Sequence, residues 1–366
     1  MQICYYFPSL KNDQNNAIFG SMYSSFFKQL ENKGLSVKLA TDLSDIEGDI
    51  LVVGIGGGGE PLAAKAMHKF KGPVILNIYN AYLGFNKPFL KRWNSRVLFA
   101  YNTDFSTLNY VKLNSVDIKF YDIAFGSDES IFYPLDIKNK KYDITFLGNA
   151  NSGFGREQYI DSLVKYSKKN NLSLFLAGAG WEKYGYPYKI VKHGVETNLV
   201  YNSSKICINI HNDRQFAGID KEMDANNRLF DLAMSGCCQV SNGENMVSHY
   251  FEKDEVITAD DFNEWIRKID YYIKNEEERE RVCIKARERA LKDHTWSKRA
   301  DEFTRIIFNE YPKYNFEQKS FNPINSILCY LDQYINPIYN LDQIRIVNKM
   351  KRIIKQLHFH TCNMRG

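Results

Sequence analysis

Short apolar runs alternate with helical periods through the first hundred residues. The apolar runs predict strands over 3–7, 36–41, 49–54, 74–78 and 97–101. Between them, the spacing of apolar positions predicts helices over 20–33 and 61–70. This alternation is typical of β–α–β units, which build a parallel sheet with helices on both faces.

The same pattern restarts near residue 142. It predicts strands over 142–148, 172–178, 205–210 and 238–241, and helices over 158–170, 228–235, 261–274, 276–292 and 296–311. A segment rich in turn-forming residues, 125–134, separates the two halves. We therefore predict an α/β fold of two doubly wound, Rossmann-like domains facing across a cleft, where ligands bind beyond the carboxyl ends of the strands.

The end of the chain has a different character from residue 312 onward. Residues 341–357 place apolar side chains near helical spacing, and five Lys or Arg residues fill other positions. A basic amphipathic helix of this kind packs on a neighbouring domain or subunit, or lies on an anionic membrane. Both interpretations stay open.

Composition narrows the function classes. A net charge of +5 over 366 residues is too small for a protein whose binding depends on many phosphate contacts, so we expect no nucleic-acid partner. The seven cysteines are scattered and do not cluster with histidines, which argues against zinc and against a disulfide framework. With no apolar run of 18 residues and no leader-like start, we expect a reduced, cytoplasmic protein.

Five glycines lie within six positions, 54–59, at the end of the third predicted strand, and Gly54, Gly56 and Gly59 fit the G-x-G-x-x-G pattern. A dinucleotide site also needs an acid about 20 residues later, and positions 74–83 contain none. The loop is a tight turn that lets a helix pack, or a cleft wall where Gly56 and Gly57 approach a substrate.

The second half offers better anion-binding candidates. Arg156 stands at a predicted helix start after a Gly/Asn/Ser turn, where a fixed cation suits a diphosphate leaving group; pairing with a surface acid is the alternative. Asp231 lies near the start of the helix predicted over 228–235, where its carboxylate is suited to accept hydrogen bonds from ribose hydroxyls. Asn226 or Arg228 would then reach a phosphate. The alternative there is a capped amphipathic helix with an exposed aspartate.

Several stretches resemble the GT-B glycosyltransferases of the family 4 type, in their spore-maturation-protein-like branch. FGSDESIFYP is similar to the interdomain segment, NRLFDLAMSGCCQVS to the donor motif, and the residues around HTW to the closing helices. The resemblance covers roughly 1–311. It implies an acceptor-side domain over 1–137, a nucleotide-sugar domain over 138–295, a helix over 296–311 that returns to the first domain, and a tail over 312–366.

The resemblance also implies roles for individual residues. Asp231 takes the place of the family's ribose-binding glutamate, although it is one carbon shorter, and the partner acid would fall at Met223, beside Glu222. Arg156 lies near the family's diphosphate-binding base. The remaining substrate-binding candidates lie in the segments that border the donor or the cleft: Gly20, Gly148, Asn149, Gly178, Glu196, Asn226, Asn227 and Arg228.

The activity implied is transfer of a sugar from a nucleoside diphosphate sugar to a glycan or lipid-linked acceptor of bacterial surface polysaccharide or glycoconjugate synthesis. We expect a retaining transferase without metal or cofactor, at the inner face of the membrane. The catalytic candidates are Asp104, His193 and Glu222, with His211 also considered as a base. The alternatives are a nucleotide-sugar epimerase of the same fold, a non-catalytic protein of coat or envelope assembly and, more distantly, a dehydrogenase.

Overall fold

A computed structural model describes residues 1–8, 17–55, 59–78, 87–102, 118–150, 156–211, 225–315 and 323–334. Two parallel sheets, each flanked by helices, account for most of these residues. The predicted class, two doubly wound α/β domains, is confirmed. None of the described helices has the length and apolar content that a membrane span requires.

The first domain contains a six-stranded sheet in the order β2-β1-β3-β4-β5-β6. Its strands are β1 (Gln2–Tyr6), β2 (Ser36–Ala40), β3 (Ile50–Ile55), β4 (Val74–Ile78), β5 (Val97–Asn102) and β6 (Phe120–Asp122). Its described helices are α1 (Ala17–Asn32), α2 (Glu60–Lys69) and α3 (Lys87–Trp93). Strand β4 is buried along its whole length, as a central parallel strand covered on both faces must be.

The second domain contains a five-stranded parallel sheet in the order β11-β10-β9-β7-β8. Its strands are β7 (Tyr142–Leu147), β8 (Leu174–Ala177), β9 (Ser204–Asn209), β10 (Gln239–Ser241) and β11 (Ile257–Thr258). Its helices are α4 (Arg156–Lys169), α5 (Val195–Asn202), α6 (Asn227–Met234), α7 (Glu244–Val247), α8 (Phe262–Lys274) and α9 (Glu276–Asp293). The strand order reverses between β7 and β9, so a crevice opens at their carboxyl ends.

The chain passes between the domains twice, at Ser127 and at Thr295, and the two passages form a parallel β-bridge. After the second passage, helix α10 (Trp296–Glu310) packs against α1. Its buried side chains Trp296 and Phe303 join the core of the first domain. The exact domain boundaries stay a prediction.

A further helix, α11 (Pro323–Leu331), also packs on the first domain, and the apolar pattern did not predict it. Asp332, just after this helix, accepts hydrogen bonds from Arg92 Nε at 2.9 Å and from Trp93 Nε1 at 3.1 Å. The Cys329 side chain is buried in the same core. These contacts fix the start of the C-terminal tail beside α2 and α3.

Candidate functional site

Several of the predicted anion-binding residues lie close together at the carboxyl edge of the second sheet, where the strand order reverses. Strand β7 ends at Leu147 and leads into Gly148 and Asn149, while β9 ends at Asn209. Helices α4 and α6 begin near the same edge, with Arg156 and Arg228 in their first turns. Helix N-termini and arginines at one sheet edge form a surface suited to an anion.

The two arginines share one aromatic platform. The guanidinium carbon of Arg156 lies 5.6 Å from the centroid of the Phe146 ring, and that of Arg228 lies 5.0 Å from it. Arg156 Nη1 donates to the Asn149 carbonyl at 3.0 Å, and Arg228 Nη1 to Asn209 Oδ1 at 3.1 Å. Burial lowers the pKa of Arg228, so its charge is poorly hydrated, and an anionic ligand would compensate it.

The start of α6 is held by a buried polar network. Asn226 is the N-cap and accepts from the Leu229 amide at 3.2 Å, while its Nδ2 donates to Asn209 Oδ1 at 3.0 Å. His211 is fully buried, and its Nδ1 accepts from the Asn226 amide at 3.3 Å. His211 therefore supports the helix start, and its burial makes it a poor candidate for a base.

Gly148 and Gly178 bring the ends of β7 and β8 into backbone contact. A Cβ on Gly178 would lie 2.3 Å from the Gly148 carbonyl oxygen, and Gly178 has a φ of +129°. Trp181 Nε1 donates to the same Gly148 oxygen at 2.9 Å, and Asn149 Oδ1 accepts from the Ala179 amide at 2.9 Å. These bonds hold the turn that carries Asn149 against the segment after β8.

Asp231 is 2% exposed, so the alternative of an exposed aspartate is wrong. Its Oδ1 accepts from Ser127 Oγ at 2.7 Å, and its Oδ2 lies 3.0 Å from both His193 Nε2 and Asn227 Nδ2. The structure therefore brings together Asp231, His193 and Asn227, three predicted site residues. A role of Asp231 toward ribose stays a prediction.

The candidates around α5 have structural partners. Glu196 is exposed, and its carboxylate accepts from the Lys192 amide at 3.0 Å, which closes the turn before the helix. Thr197 Oγ1 donates to the Lys192 carbonyl at 2.9 Å. Glu196 lies in the first turn of α5, just after the loop that contains His193. This is the segment predicted to border the nucleobase.

Several predicted residues lie outside the described part of the chain: Gly56, Gly57, Asp104 and Glu222. Their roles stay predictions. Gly59, at the end of the glycine loop, is the N-cap of α2, so the loop does join the third strand to a helix. Gly20 lies inside the first turn of α1, which starts at Ala17 and not at the predicted residue 20.

Three site residues escaped the sequence analysis: Ser127, Phe146 and Asn209. Phe146 and Asn209 belong to strands β7 and β9. An apolar strand pattern does not distinguish a site residue, such as the ring that both arginines contact or a polar residue at a strand end, from a core residue. Ser127 stands in the turn-rich segment and meets Asp231 from 104 residues away. No local pattern reports such a contact.

Comparison with known proteins is consistent with this geometry. Residues 156–305 match a family model described as glycosyl transferase-like. No curated protein is significantly similar to the chain in sequence.

Solved structures resemble the chain over most of its length. A sucrose-phosphate synthase from Thermosynechococcus elongatus is 11% identical with a TM-score of 0.61, covering 86% of this chain and 100% of its own. Anabaena HepE, solved with UDP-glucose, is 9% identical with a TM-score of 0.62 and coverages of 84% and 100%.

The T4 phage β-glucosyltransferase is 14% identical, with a TM-score of 0.58 and coverages of 84% and 99%. Identities this low support the fold and not the details of the reaction. The chain therefore has the GT-B fold, and residues 156–305, which span most of the second domain with the arginine pair and the start of α10, match a glycosyl transferase-like family.

Proposed function

We propose that the protein is a glycosyltransferase whose second domain binds a nucleoside diphosphate sugar. The observation that carries this proposal is the pair Arg156 and Arg228 on the Phe146 ring, at the reversal point of the sheet. The family match over the same domain supports it. UDP-sugars are the first donors to test, since HepE was solved with UDP-glucose and the phage enzyme with UDP.

In the proposed reaction, the acceptor hydroxyl oxygen bonds to the anomeric carbon of the sugar. The bond from that carbon to the β-phosphate oxygen breaks, and the nucleoside diphosphate leaves with the electron pair. Arg156 and Arg228 neutralise the charge that gathers on the diphosphate. In the retaining reaction that we propose, the departing diphosphate takes the hydroxyl proton; in an inverting one, a base such as Asp104 or His193 would take it.

We propose transfer without a metal, because the two arginines and the start of α4 offer positive charge at the expected diphosphate position. One structure of the T4 phage enzyme contains Mn²⁺ with UDP, so assays need a metal arm. Activity that survives a chelator supports this part of the proposal. Activity that requires added Mn²⁺ or Mg²⁺ contradicts it.

Acceptor-free hydrolysis tests the donor proposal without knowledge of the acceptor. The protein is incubated with UDP-, GDP-, ADP- and CMP-sugars, and release of the nucleotide is measured. We expect release from one nucleotide class and its loss in Arg228→Gln, because the leaving group loses its cation. The matched control is Arg281→Gln, an exposed arginine that pairs with Glu278 on α9.

The expected result of the control is wild-type release. No release and no binding of any nucleotide by the wild type would overturn the proposal in favour of a non-catalytic assembly protein. Inversion of the configuration at one carbon of the sugar, without release of the nucleotide, would favour an epimerase.

We further propose a glycan or lipid-linked acceptor of surface polysaccharide synthesis at the inner face of the membrane, within the spore-maturation-protein-like branch of family 4. Motif resemblance supports this proposal. Helix α11 adds support, because it is anchored on the first domain, and Ile327 and Tyr330 on the helix and Tyr334 just after it are exposed. In the sequence, these residues precede the basic segment 341–357. Exposed tyrosines followed in the sequence by basic residues suit an interface with anionic lipid.

Vesicle sedimentation tests the membrane contact. Full-length protein is mixed with vesicles of neutral lipid alone or with about one third anionic lipid. We expect sedimentation only with anionic vesicles and a reduced bound fraction for the double variant Lys351→Glu/Lys355→Glu. The control, Lys168→Glu/Lys169→Glu, changes two exposed lysines of α4 in the other domain. Equal binding by both variants would contradict the contact.

A further inference from the structure

Asp231 joins side chains from three separate segments of the chain. Its Oδ1 accepts from Ser127 Oγ at 2.7 Å, and its Oδ2 lies 3.0 Å from His193 Nε2 and from Asn227 Nδ2. Its side chain is only 3% exposed. A carboxylate removed from water in this way depends on its hydrogen bonds, and the donors are held in position by the same bonds.

The Ser127 contact reaches both passages between the domains. The Ser127 amide donates to the His294 carbonyl at 2.9 Å, and its carbonyl accepts from the Trp296 amide at 3.1 Å. The Ser127 hydroxyl therefore connects Asp231 directly to the first passage. The backbone of Ser127 in turn connects it to the second passage, at His294 and Trp296. The side chain of Ser127 is fully buried, so water does not replace this contact.

The His193 contact adds a third attachment to the same region. The His193 ring packs against Phe132, which belongs to the first passage, with 5.3 Å between ring centroids. His193 also precedes Gly194, the N-cap of α5. The loop before α5, the first turn of α6 and the interdomain passage thus converge on one carboxylate.

We propose that Asp231 is a positioning residue that couples the donor-binding start of helix α6 to the angle between the two domains. This inference rests on the proposed function. Asn227 and Arg228 lie one turn before Asp231 on the same helix, so a displacement of the passage at Ser127 is transmitted to the residues that face the donor. By reciprocity, a diphosphate bound at Arg228 stabilises one domain angle.

The first test removes one hydroxyl. Ser127→Ala breaks the link to the passage and retains Asp231, His193 and Asn227. The matched control, Ser25→Ala, removes a hydroxyl that donates to Asp128 in the same passage at 2.6 Å but lies on α1, away from α6. Donor hydrolysis is measured with its kcat and KM, and small-angle X-ray scattering gives the radius of gyration with and without UDP.

We expect Ser127→Ala to lower kcat by about tenfold to a hundredfold with little change in KM, since small misplacements of reacting groups are costly in rate. We also expect its radius of gyration to differ from that of the wild type and to respond less to UDP. Ser25→Ala should match the wild type in both. Equal behaviour of the two variants would overturn the proposal.

A double-mutant cycle separates coupling from a general loss of structure. Asp231→Ala removes both carboxylate oxygens, so it breaks the contacts with Ser127, His193 and Asn227 together. If Ser127 and Asp231 act through their contact, the double variant is no worse in kcat than Asp231→Ala alone. Additive losses would contradict the coupling.

Scattering keeps this test independent of the proposed function. If the wild type neither binds nor hydrolyses any nucleotide sugar, the proposed function fails, and the ligand-free radii of gyration of Ser127→Ala and Ser25→Ala still report the domain angle. A ligand-free radius that is unchanged in Ser127→Ala then contradicts the coupling by itself.

Discussion

At the scale of single residues, Gly178 is tightly constrained at the carboxyl edge of the second sheet, where we propose that the donor binds. A Cβ there would lie 2.3 Å from the Gly148 carbonyl oxygen and 2.9 Å from the Asn149 amide nitrogen. Both neighbours are backbone atoms that cannot rotate away. Any other residue would push the end of β8 from the turn after β7, and with it the backbone carbonyl that Arg156 contacts.

We therefore expect Gly178→Ala to lower the free energy of unfolding by about 3 kcal/mol, from backbone strain plus overpacking. The control is Gly185→Ala, whose φ is +80° but whose Cβ would meet nothing within 4 Å. Strain alone should cost about 1–2 kcal/mol there. Thermal midpoints compare the two, and equal midpoints would show that the close contact is not limiting.

At the scale of elements, the junction of α9 and α10 contains a buried histidine. His294 Nε2 lies 2.8 Å from the Tyr250 carbonyl, so it carries the proton, and Nδ1 accepts from Arg299 Nη2 at 2.8 Å. Burial, and then the charge of Arg299, lower the pKa of His294 to about 4. The neutral imidazole is thus the form that fits the folded junction.

This pKa shift makes stability depend on pH. Between pH 6.5 and 4 the unfolded chain binds a proton at His294 that the folded chain does not, so stability falls as pH falls. The full shift corresponds to about 3 kcal/mol. Comparing thermal midpoints at pH 7 and 5, we expect His294→Gln to lose less stability than the wild type.

The exposed residue His249 offers the control for this experiment. His249→Gln should keep the wild-type difference between the two pH values. If His294→Gln also keeps it, then the acid sensitivity arises elsewhere.

Most elements were predictable because the local pattern determines them. Strand β4, buried throughout, was predicted with its exact ends, whereas α1 and α4 begin two or three residues before the predicted positions. Helix α11 was missed because its buried face depends on contacts with α2 and α3 that are distant in the sequence. In the candidate site, Arg156 and Arg228 were predicted as anion-binding residues from their positions near helix starts. The Phe146 ring that both contact was not predicted.

At the scale of the whole molecule, two passages, one returning helix and one buried carboxylate join the domains. The sequence places Ser127 and Asp231 in separate motifs, and only the folded chain brings them to 2.7 Å. The carboxyl edge of the second sheet, our proposed donor site, is therefore linked to the contact between domains through Asp231. If a donor binds at this edge, as we propose, it contacts the helix that Asp231 links to the interdomain passage.

Calorimetric titration with UDP and UMP tests the central claim most directly, because the two ligands differ by the β-phosphate that we assign to Arg156 and Arg228. The account predicts one site per chain, tighter binding of UDP than of UMP, and a loss of about tenfold in UDP affinity for Arg156→Gln and for Arg228→Gln. Arg281→Gln should bind as the wild type does. If UDP, GDP and ADP all fail to bind, or if both arginine variants bind UDP with wild-type affinity, the donor site is not at this edge.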